Sequence, residues 1–289
     1  MSQTLQGALW MIGTILSFTV MAVSGREVSD TLDTFELMFY RSALGVVIVV
    51  GFVAFARRWS DIRTPHITTH LFRNLVHFTG QNLWFYAVAA IPLAQVFALE
   101  FTTPIWVILL SPLILGEKLT PTRALCAGLG FVGILIVTRP GTVDLSWGVV
   151  TAASAAIFFA LTIIVTKRLT RSDSILCILF YLTTMQLVFG LVAAGYDGDM
   201  AVPDWDTLPF VIAVGIAGLV AHFCYTKALS LAPATVVTPI DFARLPTIAL
   251  VGWVLYAEAI HPMVVVGAVI IFAGNYLNIW TETRKPASP

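Results

Sequence analysis

The chain has 289 residues, of which 58% are hydrophobic and 11% charged, and its mean hydropathy is +0.90. A soluble domain carries about 25% charged residues, so this chain lacks the polar side chains to cover a water-borne globule, and part of its solvent is lipid. Sixteen basic residues balance sixteen acidic ones, which gives no reason to expect a nucleic-acid partner.

A membrane-spanning helix needs about 20 mostly apolar residues, and ten such stretches follow one another with short connections. The first, residues 6–23, runs into the small residues AVSG at 22–25, as a signal peptide would. Its first six residues contain no Lys or Arg, so retention as a span is expected. The second, 34–56, carries Arg41. The third, 68–91, presents Arg73, His77, Gln81 and Trp84 at spacings of four, four and three, one polar and aromatic stripe along a helix. The fourth, 93–115, contains Glu100 and no other charge. The fifth is 121–138. The sixth, seventh and eighth are 146–166, 175–195 and 207–230, the last with His222, Tyr225 and Lys227. The ninth, 234–257, holds Asp241 and Arg244, and the tenth is 262–281. Pro92 and Pro233 mark the sharpest boundaries, since proline ends one helix and shapes the next turn. Cys126, Cys177 and Cys224 stand alone in apolar segments and read as core residues, with no metal site or disulfide.

Lysine and arginine set the orientation. With ten spans and the N-terminus inside, the inner loops and tail hold Arg57, Arg58, Arg63, Lys118, Arg123, Lys167, Arg168, Arg171, Arg284 and Lys285. The outer loops hold Arg26 and Arg139, and the outer loop at 197–206 has four aspartates and no base. This asymmetry predicts a multi-pass protein of the cytoplasmic (inner) membrane with both termini in the cytoplasm.

Shifting the chain by 141 residues aligns its halves without a gap. Pro92 then meets Pro233, Phe101 meets Phe242, Glu117 meets Glu258, Pro121 meets Pro262, and Glu100 meets Asp241. Five spans per half force the second half into the opposite orientation. The expectation is an all-α membrane protein of ten transmembrane helices, arranged as two inverted five-helix repeats, residues 1–141 and 142–289, the second ending in a short cytoplasmic tail. That is the architecture of secondary transporters, whose substrate site lies near the midplane between the halves.

The segments FELMFYRSALG, PLAQVFALEFTTPIWVILLSPLILGEKLTPTR and GFVGILIVTRPG, with TPIDFARLPTIALVGWVLYAEAIHP in the second half, resemble the EamA type of the drug/metabolite transporter superfamily. The resemblance covers essentially the whole chain. It implies a ten-helix carrier whose cavity is lined by the first four helices of each half. The pattern of Arg41, the Gln81–Tyr86 segment and Asp241–Arg244 is similar to bacterial carriers of S-adenosylmethionine-like and riboflavin-like metabolites.

Charges inside spans are costly, about 2.5–3.5 kcal/mol each at a helix centre, so Arg41, Arg73, Glu100, Lys227, Asp241 and Arg244 must pair, snorkel or line a wet cavity. Arg73 and Lys227 lie within about a turn of the inner surface, where snorkelling is open to them. Arg41 and Glu100 lie at equal depth from the outer end of their helices and are expected to pair. Asp241 and Arg244 are spaced to pair along one helix. At the midplane the same two residues offer Arg244 to a substrate and Asp241 as its holder or as a proton carrier. Gln81 falls on His222 in the repeat, so both halves place a hydrogen-bonding side chain at mid-depth. Trp84, Phe85, Tyr86, Trp106 and Tyr225 are candidates for stacking on a flat or cationic substrate. The expected substrate-binding set is Arg41, His77, Gln81, Trp84, Tyr86, Glu100, His222, Tyr225 and Arg244, with Asp241 and Glu100 as coupling residues.

Three motif matches lose to simpler readings. GLGFVG at 128–133 fits a dinucleotide fingerprint, but no strand precedes it, and glycines inside an apolar span are a close-packing surface. HITTH at 66–70 has the spacing of metal ligands, yet five histidines are too few for a di-iron desaturase. GYDGD at 195–199 puts both acids in one loop, unlike an aspartyl protease. No cofactor and no catalytic residue is expected. The function expected is a secondary carrier of a small polar or amphipathic organic metabolite, anionic or zwitterionic, moving by alternating access with proton coupling or exchange. Its partners are a small-molecule substrate and the bilayer, its assembly a monomer or homodimer. The second reading is a multispan membrane enzyme acting on a lipid-like substrate, which the matched halves disfavour.

Overall fold

The computed structural model describes residues 2–91, 93–138, 146–196, 198–256 and 262–283. Pro92, Arg139, Asp197, Glu258, Arg284 and Lys285, all used above, lie outside these residues.

The described residues form twelve α-helices. The first half contains α1 (Gln3–Val28), α2 (Thr34–Phe55), α3 (Ile67–Ala90), α4 (Leu93–Glu100), α5 (Thr103–Ile114) and α6 (Pro121–Thr138). The second contains α7 (Trp147–Leu169), α8 (Ile175–Ala194), α9 (Leu208–Leu231), α10 (Ala234–Val237), α11 (Arg244–Tyr256) and α12 (Pro262–Thr283). Five of them, α1, α2, α7, α8 and α9, are long and apolar enough to cross a membrane. Short polar residues start the helices where the first N–H groups need acceptors: Ser2, Ser146 and Ser174 cap α1, α7 and α8. At α2, Asp33 and Glu36 form a reciprocal capping box. Glu36 also accepts from the Ala201 N–H, and the Tyr40 hydroxyl donates to the Ala201 carbonyl at 2.8 Å, which fastens the 198–206 segment to α2.

The fourth and ninth stretches are not continuous, contrary to the sequence expectation. The fourth breaks after Glu100 into α4 and α5, and α5 begins with proline in its first turn. The ninth is a single turn of α-helix, then a 3-10 segment over Thr238–Ala243, then α11. Proline removes a backbone donor and crowds the preceding turn; Pro104 stands in the first turn of α5 and Pro239 in that of the 3-10 segment, where its missing donor is tolerated, whereas Pro112 lies inside α5. The Glu117 carboxylate, from the α5–α6 connection, accepts from the backbone N–H groups of Ala234 (3.0 Å) and Thr235 (3.2 Å) and holds the start of α10.

The main packing pairs are α1 with α9, α3 with α7, α2 with α8 and α6 with α12. Each joins the two halves. Exchanging the halves under the 141-residue shift turns the α1–α9 pair into the α7–α3 pair and leaves α2–α8 and α6–α12 unchanged. At α6–α12 the glycines of GLGFVG permit close approach: a Cβ on Gly133 would lie 2.6 Å from Ile271 Cγ1 and 2.9 Å from the Gly267 carbonyl. Gly130 leaves room for the Phe242 ring. The largest buried apolar cluster runs from Met21 and Leu37 through Trp84, Phe85, Phe97 and Phe101 to Phe242, with contributors from both halves.

Candidate functional site

A cavity lies where α1, α3 and the α4–α5 break meet α7, α9 and the 3-10 segment before α11. These are the first, third and fourth stretches of each half. Two broken helices therefore present backbone ends and acids to the cavity, as irregular backbone at membrane depth requires.

One pole is a charge cluster. Arg244 is ion-paired with Glu100 and lies 3.0 Å from Asp241 Oδ2. The second Glu100 oxygen accepts from Trp84 Nε1 at 2.6 Å, so both lobes of that carboxylate are engaged. The guanidinium carbon stands 5.1 Å from the centres of the Phe18 and Phe101 rings and 5.4 Å from that of Phe97, within cation–π range. Asp241 Oδ1 and Arg244 Nε are buried without a hydrogen-bond partner. Two acids against one base leave this pole with one net negative charge.

The middle of the cavity holds Gln81 and a histidine pair. His77 Nε2 and His222 Nε2 are 3.1 Å apart, with the rings perpendicular. One must donate and the other accept, so the pair joins α3 of one half to α9 of the other. Tyr225 lines the wall beside them.

The other pole is Arg73, which is 1% exposed. It donates to Thr166 Oγ1 at 3.0 Å and to Asn74 Oδ1 at 2.9 Å, and it has no carboxylate partner among the described residues. Snorkelling was open to it on sequence grounds; the structure instead covers it with α7 and turns it into the cavity. It lies eleven residues from Trp84, about 16 Å along the α3 axis.

The structure thus brings His77, Gln81, Trp84, Glu100, His222, Tyr225, Asp241 and Arg244 into one cavity. Two expected members are elsewhere. Tyr86 is 48% exposed and does not line the cavity; two residues on from inward-facing Trp84, it sits about 200° around the helix. Arg41 does not meet Glu100. It lines a second, smaller pocket beside Ser42, Thr183 and Gln186, and His222 lies on the boundary of both pockets. Its guanidinium reaches Met38 Sδ at 3.7 Å and packs over Gly218 of α9. Equal depth predicted an Arg41–Glu100 pair, but α2 packs on α8 and α9 whereas α4 and α5 pack on α7. Arg73, Thr166 and Phe18 were missed as cavity residues.

Comparison with known proteins gives the family of the chain. The EamA-like transporter family matches residues 5–139 and again 146–280. An S-adenosylmethionine uptake transporter of Rickettsia prowazekii is 25% identical over 285 residues, covering 98% of this chain and 96% of that protein. A riboflavin transporter of Vibrio cholerae is 27% identical over 292 residues, covering 97% and 95%. One from Rhizobium johnstonii is 30% identical over 299 residues, covering 100% and 95%. A solved crystal structure superposes with a TM-score of 0.80 at 18% identity, covering 96% of this chain and 98% of that one. The chain belongs to the EamA-like transporter family, a multi-pass membrane transporter of small molecules rather than an enzyme.

Proposed function

We propose that this protein is a secondary carrier in the cytoplasmic membrane that moves a zwitterionic, heteroaromatic metabolite of the S-adenosylmethionine kind. The mechanism is alternating access between two inverted five-helix halves, residues 1–141 and 142–289, with both termini in the cytoplasm. The observation that carries the substrate class is the polarised cavity. Arg73, a buried guanidinium with no counter-charge among the described residues, stands at one pole and a net-negative cluster built on Asp241 and Glu100 at the other. Burying an unpaired charge is expensive, and a substrate carboxylate at Arg73 offsets that cost. A substrate cation fits between Asp241 Oδ1 and the aromatic rings, and Tyr225 with Phe159 flanks the space a flat ring would fill.

Riboflavin is the second reading, because relatives bear that name and the aromatic walls suit a flavin. A neutral flavin leaves Arg73 uncompensated, so the charge pattern favours the zwitterion. The sequence contains no GxxxxGK[ST] phosphate loop for ATP hydrolysis, so a gradient or exchange drives the movement.

The purified protein in liposomes, preloaded with unlabelled S-adenosylmethionine, is expected to show counterflow of the labelled compound, with little effect of added riboflavin. Arg73→Gln should reduce that flux at least tenfold, and Arg73→Lys should not restore it, since lysine lacks the planar fork for a carboxylate. Flux of riboflavin undiminished by Arg73→Gln would transfer the assignment to the flavin.

A further inference from the structure

Away from the cavity, three metal-ligating side chains converge at the end of the molecule that carries the 56–66 and 170–174 connections. His70 Nε2 lies 2.9 Å from Asp173 Oδ2 and 4.0 Å from Cys177 Sγ, and the three donor atoms all fall within 4.8 Å of one another. All three side chains are buried: His70 is fully covered, Cys177 is 1% exposed, and the Asp173 carboxylate is 3% exposed. Thr64 Oγ1 donates to the same carboxylate, 3.0 Å from Oδ2, and the Tyr181 ring packs on the imidazole with centroids 4.6 Å apart. None of the three lines the substrate cavity, although His70 sits one turn before Arg73 on α3.

We infer that His70, Asp173 and Cys177 form a binding site for a borderline divalent cation of the zinc class. The donor set decides the class. A thiolate and an imidazole select zinc, cobalt or nickel over magnesium and calcium, which take oxygen ligands. A tetrahedral zinc ion with bonds of about 2.0–2.3 Å sets its ligand atoms roughly 3.3–3.6 Å apart, so the donors need to move by less than about 1 Å. Charge points the same way. A thiolate, a carboxylate and a neutral imidazole sum to minus two, which a dication cancels in a place where little water can screen it. The thiol proton leaves to solvent on binding. Three protein ligands leave the fourth position for water, the pattern of an exchangeable rather than a sealed site. Partly exposed Thr64 and the Asp173 backbone supply an entry from the surface.

The ligands come from both halves: His70 from the first turn of α3, and Asp173 and Cys177 from the loop before α8 and its first turn. An ion there ties the halves together at that end, which for a carrier of the type proposed above restrains the opening of that side. Cys177, which reads from sequence as an inert core residue, becomes the softest ligand.

The test uses the full chain in detergent with cobalt(II) as the probe. Wild type is expected to develop a near-ultraviolet thiolate-to-cobalt charge-transfer band and intense tetrahedral visible bands. Cys126→Ser with Cys224→Ser should retain them, Cys177→Ser should lose the charge-transfer band, and Asp173→Asn should weaken binding at least tenfold. Zinc should raise the unfolding temperature of wild type and not of Cys177→Ser. Absence of the band in wild type, or its survival in Cys177→Ser, overturns the site and leaves a hydrogen-bonded latch. These readouts do not depend on the transported substrate. In liposomes zinc should slow counterflow through wild type and leave Cys177→Ser unaffected; equal rates with and without zinc, in a protein shown to bind it, overturn the restraint alone.

Discussion

Glu100 and Arg244 are ion-paired across the two halves of the chain, 144 positions apart in sequence, with each residue at the break in its own stretch. The pair is buried, and removing one partner of such a pair costs about 3–5 kcal/mol because the other charge is stranded. Glu100→Gln is therefore expected to lower the unfolding temperature sharply and to impair transport severely. Trp84→Phe removes one hydrogen-bond donor from the same carboxylate and should cost about 1–3 kcal/mol. Thermal unfolding of the purified variants checks the order. A Glu100→Gln protein as stable as Trp84→Phe contradicts an ion pair across the halves.

The two faces of α3 make a second comparison. Trp84 is buried against Glu100, whereas Tyr86 points away from the cavity. Trp84→Leu is expected to abolish counterflow and Tyr86→Leu to leave rate and apparent KM within about twofold of wild type. A severe loss in Tyr86→Leu would return that residue to the substrate path.

The glycines of α6 separate packing from conformational freedom. Gly128 has open space where a Cβ would go, while Gly133 faces Ile271 and the Gly267 carbonyl of α12. Alanine is about 0.5–1 kcal/mol better than glycine inside a helix, so Gly128→Ala should stabilise by roughly that amount. Gly133→Ala must push α6 and α12 apart, at a cost of about 1–3 kcal/mol. Denaturation of both variants should give opposite signs; equal effects would contradict the close approach of α6 and α12 at Gly133.

Much of this architecture is legible in the sequence because membrane solvation is unforgiving. Long apolar runs have no alternative to helix in lipid, and the two acids that the 141-residue shift aligns, Glu100 and Asp241, both line the cavity. What misled was geometry about the helix axis. Depth placed Arg41 beside Glu100, but depth carries no azimuth, and the helices bearing them face different neighbours. Arg73 lies only about 9 Å from the start of α3, near enough to snorkel until α7 is laid over it and Thr166 takes its N–H. The breaks at Glu100 and Asp241 left a sequence signal, since Pro104 and Pro239 lie inside apolar runs otherwise fit for one helix. The His70–Asp173–Cys177 cluster left almost none: its members are 103 and 107 positions apart, and only the fold of α3 against α8 brings them together.

Asp241 offers the sharpest test of how the carrier is driven. Its Oδ2 is held by Arg244 while Oδ1 is buried and unpartnered, and the residue lines the cavity. A carboxylate in that position can exchange Arg244 for a proton when substrate draws the guanidinium away. Asp241→Asn fixes the neutral state with nearly the same shape. Under proton coupling it should abolish accumulation driven by a pH gradient while preserving counterflow exchange of preloaded substrate. If instead Asp241 only neutralises Arg244, both modes should fall together and apparent affinity for an anionic group should change. Measuring the two fluxes on one batch of proteoliposomes decides between them. Unchanged flux in both modes, with Arg244→Ala also transporting normally, would remove this pole from the mechanism and move the site to Gln81 and Arg73.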